Sequence, residues 1–116
     1  MTGNFLVAYR RVVELVFKAL ADEGRRRLLD ALREQNGQSL QELCALLPDL
    51  TRQGVTKHLR ILEDANLVVT VKRGRHKLHY LNPVPINEIA ERWLSNYERD
   101  KLRALSALKA ALEEKP

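Results

Sequence analysis

The sequence predicts a mainly α-helical chain with one small β-hairpin, an α+β arrangement of the winged helix-turn-helix type. Three observations predict it. Two short amphipathic helices follow one another between Ser39 and Ala65, separated by Pro48. A stretch of alternating apolar and polar residues then surrounds Arg73-Gly74-Arg75, the pattern of a hairpin. The formal charge excess of the whole chain, +5, falls on this same region: residues 51–80 hold seven basic and two acidic groups, and the remainder holds thirteen of each. A charge spread for solubility alone would not concentrate in this way, which favours a nucleic acid as partner.

The length of 116 residues fits one domain, 1–116, whose core is small for a monomer. Hydrophobic residues make up 45% of the chain, which argues for a folded protein. No run of 18 apolar residues is present, so no transmembrane span and no membrane partner are expected. The N-terminus lacks a signal-peptide pattern and the chain has one cysteine, so a cytoplasmic, reducing location is expected.

Residues 1–21 open the chain. Residues 1–4 are expected to fray, and Phe5 to Ala21 reads as a helix. Phe5, Tyr9, Val12, Val13, Val16, Phe17 and Leu20 give it an apolar face wider than one small domain needs. The face is therefore expected to pack on more than its own core, with a plain core helix as the alternative. Asp22 is placed to cap a second helix, Glu23–Gln35, whose core side is Leu28, Leu29 and Leu32. Arg25, Arg26 and Arg27 stand at its start, where cations oppose the helix dipole; pairing with Asp22, Glu23 or Asp30 is expected.

The helix-turn-helix occupies 39–65. Ser39 and Glu42 form an S-x-x-E capping box, and Leu40, Leu43, Cys44 and Leu47 follow at helical spacing. Pro48 stops this helix. Thr51 is the expected N-cap of the next, about Arg52–Ala65, in which Val55, Leu59 and Leu62 share one face. Gln53, Thr56, Lys57 and Arg60 share another. An amide, a hydroxyl and two cations on one face suit a major-groove reader: Gln pairs with adenine, Arg with guanine, and Thr and Lys hold phosphates. The alternative is an ordinary amphipathic helix with a solvated face. Gly54 inside it costs about 0.5–1 kcal/mol relative to alanine, in exchange for close approach to another helix or to DNA, or for nothing.

Asn66 is suited to a left-handed helix end. The hairpin, 68–81, alternates Val69, Val71, Leu78 and Tyr80 with polar residues, and its tip carries Lys72, Arg73, Arg75, His76 and Lys77. That much charge on a loop is natural beside phosphates. Asn82-Pro83-Val84-Pro85 reads as a stiff connector. Ile86 to Glu114 then reads as a long helix with Ile86, Ile89, Ala90, Trp93, Leu94, Tyr97, Leu102, Leu105, Leu108 and Leu112 on its apolar side, and Asp100-Lys101 as a bend or break. At ~1.5 Å per residue it spans roughly 40 Å, more than a domain of this size covers. A second copy would bury the surplus, placing two recognition helices ~34 Å apart to read an inverted repeat.

The run LADEGRRRLLDALRE, continued by TRQGVTKHLRILEDANLV and RGRHKLHYLNP, resembles the arsenical-resistance-repressor (ArsR-type) family of bacterial transcriptional regulators, most strongly from Val16 to Pro83. The resemblance implies a homodimeric winged helix that binds operator DNA as a repressor. It implies double-stranded DNA and a second copy of the chain as partners, with a small-molecule effector left open. The implied DNA-binding residues are Thr51, Arg52, Gln53, Thr56, Lys57, Arg60, Lys72, Arg73, Arg75, His76 and Lys77. The implied dimer interface is Phe5, Tyr9, Val12, Val13, Val16, Trp93, Tyr97, Leu102, Leu105 and Leu108, on the N- and C-terminal helices. The tail is similar to a subgroup without a metal site. Where related sequences commonly have Pro-Thr, this chain has Glu23-Gly24, which puts the start of the second helix in doubt.

Metal-type members carry Cys-x-Cys before the recognition helix or Asp, His and Glu ligands on the C-terminal helix. Here the corresponding stretch is Glu42-Leu43-Cys44-Ala45-Leu46, and the C-terminal helix has no histidine. His58, His76 and His79 with one thiol do not make a tetrahedral site, so neither metal nor cofactor is expected. Cys44 falls on the apolar stripe and reads as a buried core residue, with a metal- or redox-responsive repressor as an alternative. His76 and His79 read as phosphate neighbours or hairpin residues. No phosphate-cradling loop, nucleophile context or paired apolar carboxylates point to an enzyme. A winged helix that binds an acidic protein is the other alternative; such a module should show an aromatic or apolar anchor on the recognition face.

Overall fold

The computed structural model of the chain describes residues 2–94 and 99–114, and for residues 2–5 the backbone alone. The elements are α1 (Thr2–Leu20), α2 (Glu23–Glu34), α3 (Leu40–Leu46), α4 (Arg52–Asp64), β1 (Val68–Arg73), β2 (His76–Leu81), α5 (Val84–Leu94) and α6 (Arg99–Glu114). They form two compact units, residues 1–86 and 87–116.

The first unit is a winged helix-turn-helix. Its core is built from one side of each helix: Val16 and Ala19 from α1, Leu28, Leu29 and Leu32 from α2, Leu43 from α3, and Val55, Leu59 and Leu62 from α4. Leu47, Ala65, Leu67 and Val68 close it. Burying an aliphatic side chain contributes about 1.5–3 kcal/mol, so these positions fix how the helices stack. Helix α4 packs on α1, α2 and α3, and the hairpin is set against α2, α3 and α4.

Local capping chemistry sets the helix ends. Asp22 accepts the backbone N–H of Arg25 at 3.1 Å and starts α2 at Glu23, so the Glu23-Gly24 departure leaves the helix start intact. Ser39 and Glu42 form the reciprocal capping box of α3. Asn66 adopts φ 59°, the left-handed conformation that ends α4. Between β1 and β2, Gly74 takes φ 60° at the first position of a two-residue turn, where a type II′ hairpin needs glycine.

Several expectations are corrected. Helix α1 already begins at Thr2, ahead of Phe5. Val84 and Pro85 belong to the first turn of α5, where a missing N–H costs nothing, so the connector is only Asn82-Pro83. The C-terminal region is described over Val84–Leu94 and Arg99–Glu114; residues 95–98, and with them Tyr97, lie outside the described residues. Asp100 and Lys101 are both helical, in the first described turn of α6. Cys44 is half-buried rather than sequestered in the core.

The hairpin also faces the other way from the simplest reading of its alternation. Val69 and Val71 are 42% and 45% exposed, whereas Val68 and His79 are buried. A period of two reveals that the strand has two sides but not which side is inward. Here His79 turns in because its Nδ1 is 2.9 Å from the Gln38 carbonyl oxygen. Around it, His79 and Gln38 form an isolated antiparallel bridge, with the His79 N–H donating to the Gln38 carbonyl at 2.8 Å. Gln38, itself buried, donates through its amide to the Ala31 and Gln35 carbonyls at the end of α2. The residue before it, Gly37, has φ 83°, and a Cβ there would lie 3.1 Å from the Tyr80 hydroxyl.

Candidate nucleic-acid interface

The apolar side of α4 is fixed in the core by Val55, Leu59 and Leu62. Helical periodicity then forces Arg52, Gln53, Thr56, Lys57 and Arg60 outward, and all five are exposed. They line one open groove together with Ile61 and Asp64 of α4 and with Lys18 of α1. Thr51 caps the helix by accepting the Gly54 N–H at 3.0 Å. Among the described residues, a Cβ at Gly54 would meet only the Thr51 hydroxyl, at 3.1 Å. The Thr56 hydroxyl donates to the Arg52 carbonyl at 2.9 Å, which leaves its oxygen able to accept a further bond.

The turn that delivers α4 is held by Arg27 and Asp49. Two parallel bonds of 2.8 and 2.9 Å join the guanidinium to the carboxylate. This forked geometry is the strong form of the interaction. The Arg27 guanidinium holds the Asp49 carboxyl down at about 2.

The rest of the arginine triplet departs from expectation. Arg25 donates from Nε to the Ala19 carbonyl at 2.8 Å and from Nη2 to the Lys18 carbonyl at 3.0 Å. Arg26 donates to the Leu20 carbonyl at 2.7 Å. Arg25 and Arg26 thus satisfy the open carbonyls at the C-terminus of α1, and Arg27 pairs with Asp49, rather than the triplet pairing with Asp22, Glu23 or Asp30. Arg25 also reaches α4: its Nη1 is 3.2 Å from Nδ1 of His58, whose Nε2 lies 3.8 Å from Asp22. The Asp22 carboxyl sits below its ordinary value, chiefly through the Arg25 backbone N–H and then through His58 and Arg25. Gly24 makes room for this cluster, since a Cβ would lie 3.0 Å from both Asp22 Oδ1 and His58 Nε2.

On the hairpin, Lys72 faces Lys77 and Arg73 faces His76, with Arg75 in the turn; all five side chains are exposed. Lys77 is not wholly available to a ligand, because its Nζ lies 3.1 Å from Glu63 of α4. That contact ties the base of the wing to the recognition helix and relieves the like charge of Lys72 across the strand pair. The three histidines have gone separate ways: His58 to Arg25, His79 to Gln38, and His76 to the exposed tip.

Sequence reasoning missed Lys18, Glu63 and Gln38 as parts of this assembly, and gave Arg25 and His79 other partners. Nothing local marks these roles, which depend on contacts with α4, the wing or the end of α2.

Comparison with known proteins fits this geometry. A helix-turn-helix domain family matches residues 20–71. The HTH-type transcriptional regulator YuzN of Bacillus subtilis is 37% identical over 86 residues, 70% of this chain and 94% of that protein. The solved structure of an ArsR-like transcriptional regulator from Rhodococcus sp. RHA1 is 33% identical, with a TM-score of 0.68 over 95% of this chain and 98% of that one. The chain belongs to the ArsR-type transcriptional regulators. HlyU from Vibrio cholerae is also similar, 26% identical with a TM-score of 0.59 over 76% of this chain and 94% of its own. As an ArsR-type regulator the protein carries a helix-turn-helix DNA-binding domain, and its fold and relatives are those of non-enzymatic regulators. Among the described residues no helix is long and apolar enough to cross a membrane.

Proposed function

We propose that this ArsR-type regulator is a cytoplasmic homodimeric repressor that reads an inverted-repeat operator. One observation carries the reading: the cations and polar groups on the outward side of α4 are left out of the protein's own ion pairs. Arg27, Lys77 and Lys109 are paired among the described residues, whereas Arg52, Lys57 and Arg60 enter none of these pairs. Unspent charge on an exposed helix beside a basic wing suits a polyanion.

In this reading α4 enters the major groove. Gln53 and Arg60 read base edges, and Thr56 offers its methyl group to thymine or a lone pair to a base amine. Thr51, Arg52 and Lys57 track phosphates. Lys72, Arg73, Arg75, His76 and Lys77 hold the backbone or minor groove beside it. Among Arg52, Gln53, Thr56, Lys57 and Arg60 no side chain is aromatic or large and apolar, the kind of anchor a protein-binding version would need; Ile61, which lines the same groove, is half-buried.

The dimer rests on apolar surface that one copy leaves open. In α1, Leu6, Val7, Val12 and Phe17 are exposed, with Tyr9 and Val13 half-buried beside them. In α6 no residue is buried, and Leu105, Leu108 and Leu112 are exposed while Leu102 is half-buried. Trp93 of α5 is 58% exposed. Val16 leaves the proposed interface, because it is 0% exposed within its own unit's core. The Phe5 side chain lies outside the described residues.

Hydroxyl-radical footprinting on DNA upstream of the protein's own gene tests the proposal. Two protected half-sites roughly 10 base pairs apart, centre to centre, are the expected result. A single protected site, or none, would contradict the dimeric reading.

A further inference from the structure

We propose that Lys18 of α1 contacts a DNA phosphate on the flank of α4 opposite the wing. The inference rests on the placement of α4 in the major groove. A helix about 10–12 Å across nearly fills a groove about 12 Å wide, so a phosphate backbone runs along each of its sides. The two sides of α4 are distinct in this structure. Thr56, Arg60 and Glu63 face the base of the wing, where they share a small cavity with Lys77 and His79. Thr56 and Arg60 also line the open groove, and beyond them Lys57, Ile61 and Asp64 turn toward the other side, where Lys18 joins them. The wing serves the first backbone. Among the groove-lining residues, Lys18 is the cation supplied to the second flank from outside α4.

The simplest competing role for Lys18 is to offset the dipole at the end of its own helix, since it is the basic residue in the last turn of α1. That role is already filled. The carbonyls of Lys18, Ala19 and Leu20 accept guanidinium donors from Arg25 and Arg26. Lys18 is exposed and takes part in no ion pair among the described residues, although Asp64 lines the same groove. Arg25 holds the backbone of Lys18 in place and also lies within hydrogen-bond distance of the half-buried His58 of α4. The backbone of Lys18 is therefore tied to the recognition helix through Arg25, while its side chain remains exposed. Asp64, at the end of α4, would repel a backbone passing further along and so bounds the contact to the Lys57 end of the groove.

The test compares the full-length protein with Lys18→Ala and Lys18→Arg on an operator fragment and on scrambled duplex over a salt series. Releasing one counterion fewer should shallow the salt slope by about 0.9, which at ~0.1 M salt is roughly an eightfold loss. The loss from Lys18→Ala should be equal on both DNAs, and Lys18→Arg should restore it. An unchanged slope and affinity for Lys18→Ala would overturn the proposal, as would a loss confined to the operator, which would mean a base contact instead. Arg60→Ala run alongside separates the two levels. If it abolishes discrimination while Lys18→Ala has no effect, only the Lys18 inference fails; if wild type binds neither DNA, the groove placement itself fails. Thermal melts of each variant should match wild type, since an exposed lysine is replaced by a good helix former.

Discussion

Replacing Glu63 with glutamine should tighten DNA binding rather than weaken the protein. Glu63 pairs with Lys77 at 3.1 Å, joining α4 to the wing. The two side chains are 28% and 58% exposed, so solvent screens the pair and its worth to stability is at most about 1 kcal/mol. Its removal also leaves Lys72 and Lys77 facing each other across the hairpin, a repulsion of about 0.2–1 kcal/mol. The melting temperature should therefore fall by only a few degrees. The effect on DNA has the opposite sign. An anionic group beside the phosphate track disappears, and Lys77 is released to a backbone contact. One added contact steepens the salt slope by about 0.9 and, at ~0.1 M salt, strengthens binding roughly eightfold, equally on operator and scrambled DNA. Fluorescence anisotropy over a salt series, with melts recorded in parallel, measures both. A fall in affinity with an unchanged melting temperature would refute the reasoning, because Glu63 would then be acting as a strut that orients the wing.

Four further outcomes follow from the same structure. Arg60→Ala and Gln53→Ala should each reduce operator-over-random discrimination by about 1–3 kcal/mol in competition binding, whereas Arg75→Ala should weaken all DNA alike and shallow the salt slope by about 1. Gly37→Ala should cost about 1–2 kcal/mol in denaturant unfolding, since φ 83° excludes a side chain and the Tyr80 hydroxyl would lie 3.1 Å from it. For Asp49, whose folded value of about 2 lies below its ordinary 3.8, the pairing with Arg27 stabilises the protein fully above pH ~4 and is lost as pH falls through about 2. The stability difference between wild type and Asp49→Asn, followed by unfolding at several pH values, should accordingly be constant at neutral pH and shrink toward zero in acid. Leu105→Asp, placing a charge on the open side of α6, should lower the sedimentation mass toward that of one chain; an unchanged mass would remove α6 from the interface.

What could be read from the sequence was what local chemistry decides. Asp22, Ser39 with Glu42, Thr51 and Asn66 act within a turn of their own backbone, so spacing alone exposes them. The outward residues of α4 were legible for a similar reason, because Val55, Leu59 and Leu62 fix the rotation of the helix. The parts that resisted depend on contacts between distant segments. The arginine triplet was expected to seek nearby carboxylates, yet Arg25 and Arg26 found stronger calls on their donors in the open carbonyls of the preceding helix. His79 was read as a phosphate neighbour or a hairpin residue, but Gln38, more than forty positions earlier, supplies the acceptor that lets it be buried. Val16 was placed on a wide apolar face, and only packing could show that its part of that face belongs to the core. Lys18 had no motif at all; it joins the recognition face because α1 crosses beside α4.

The central claim is that α4 and the wing read a specific DNA sequence, and one comparison tests it most directly. Purified protein is titrated by fluorescence anisotropy against DNA from upstream of its own gene and against the same fragment scrambled, at several salt concentrations. A preference of ~10³-fold or more for the native fragment, with a steep salt dependence on both, is the expected result. Equal affinity for the two fragments at every salt concentration would contradict it, leaving a basic surface that attracts DNA without reading it.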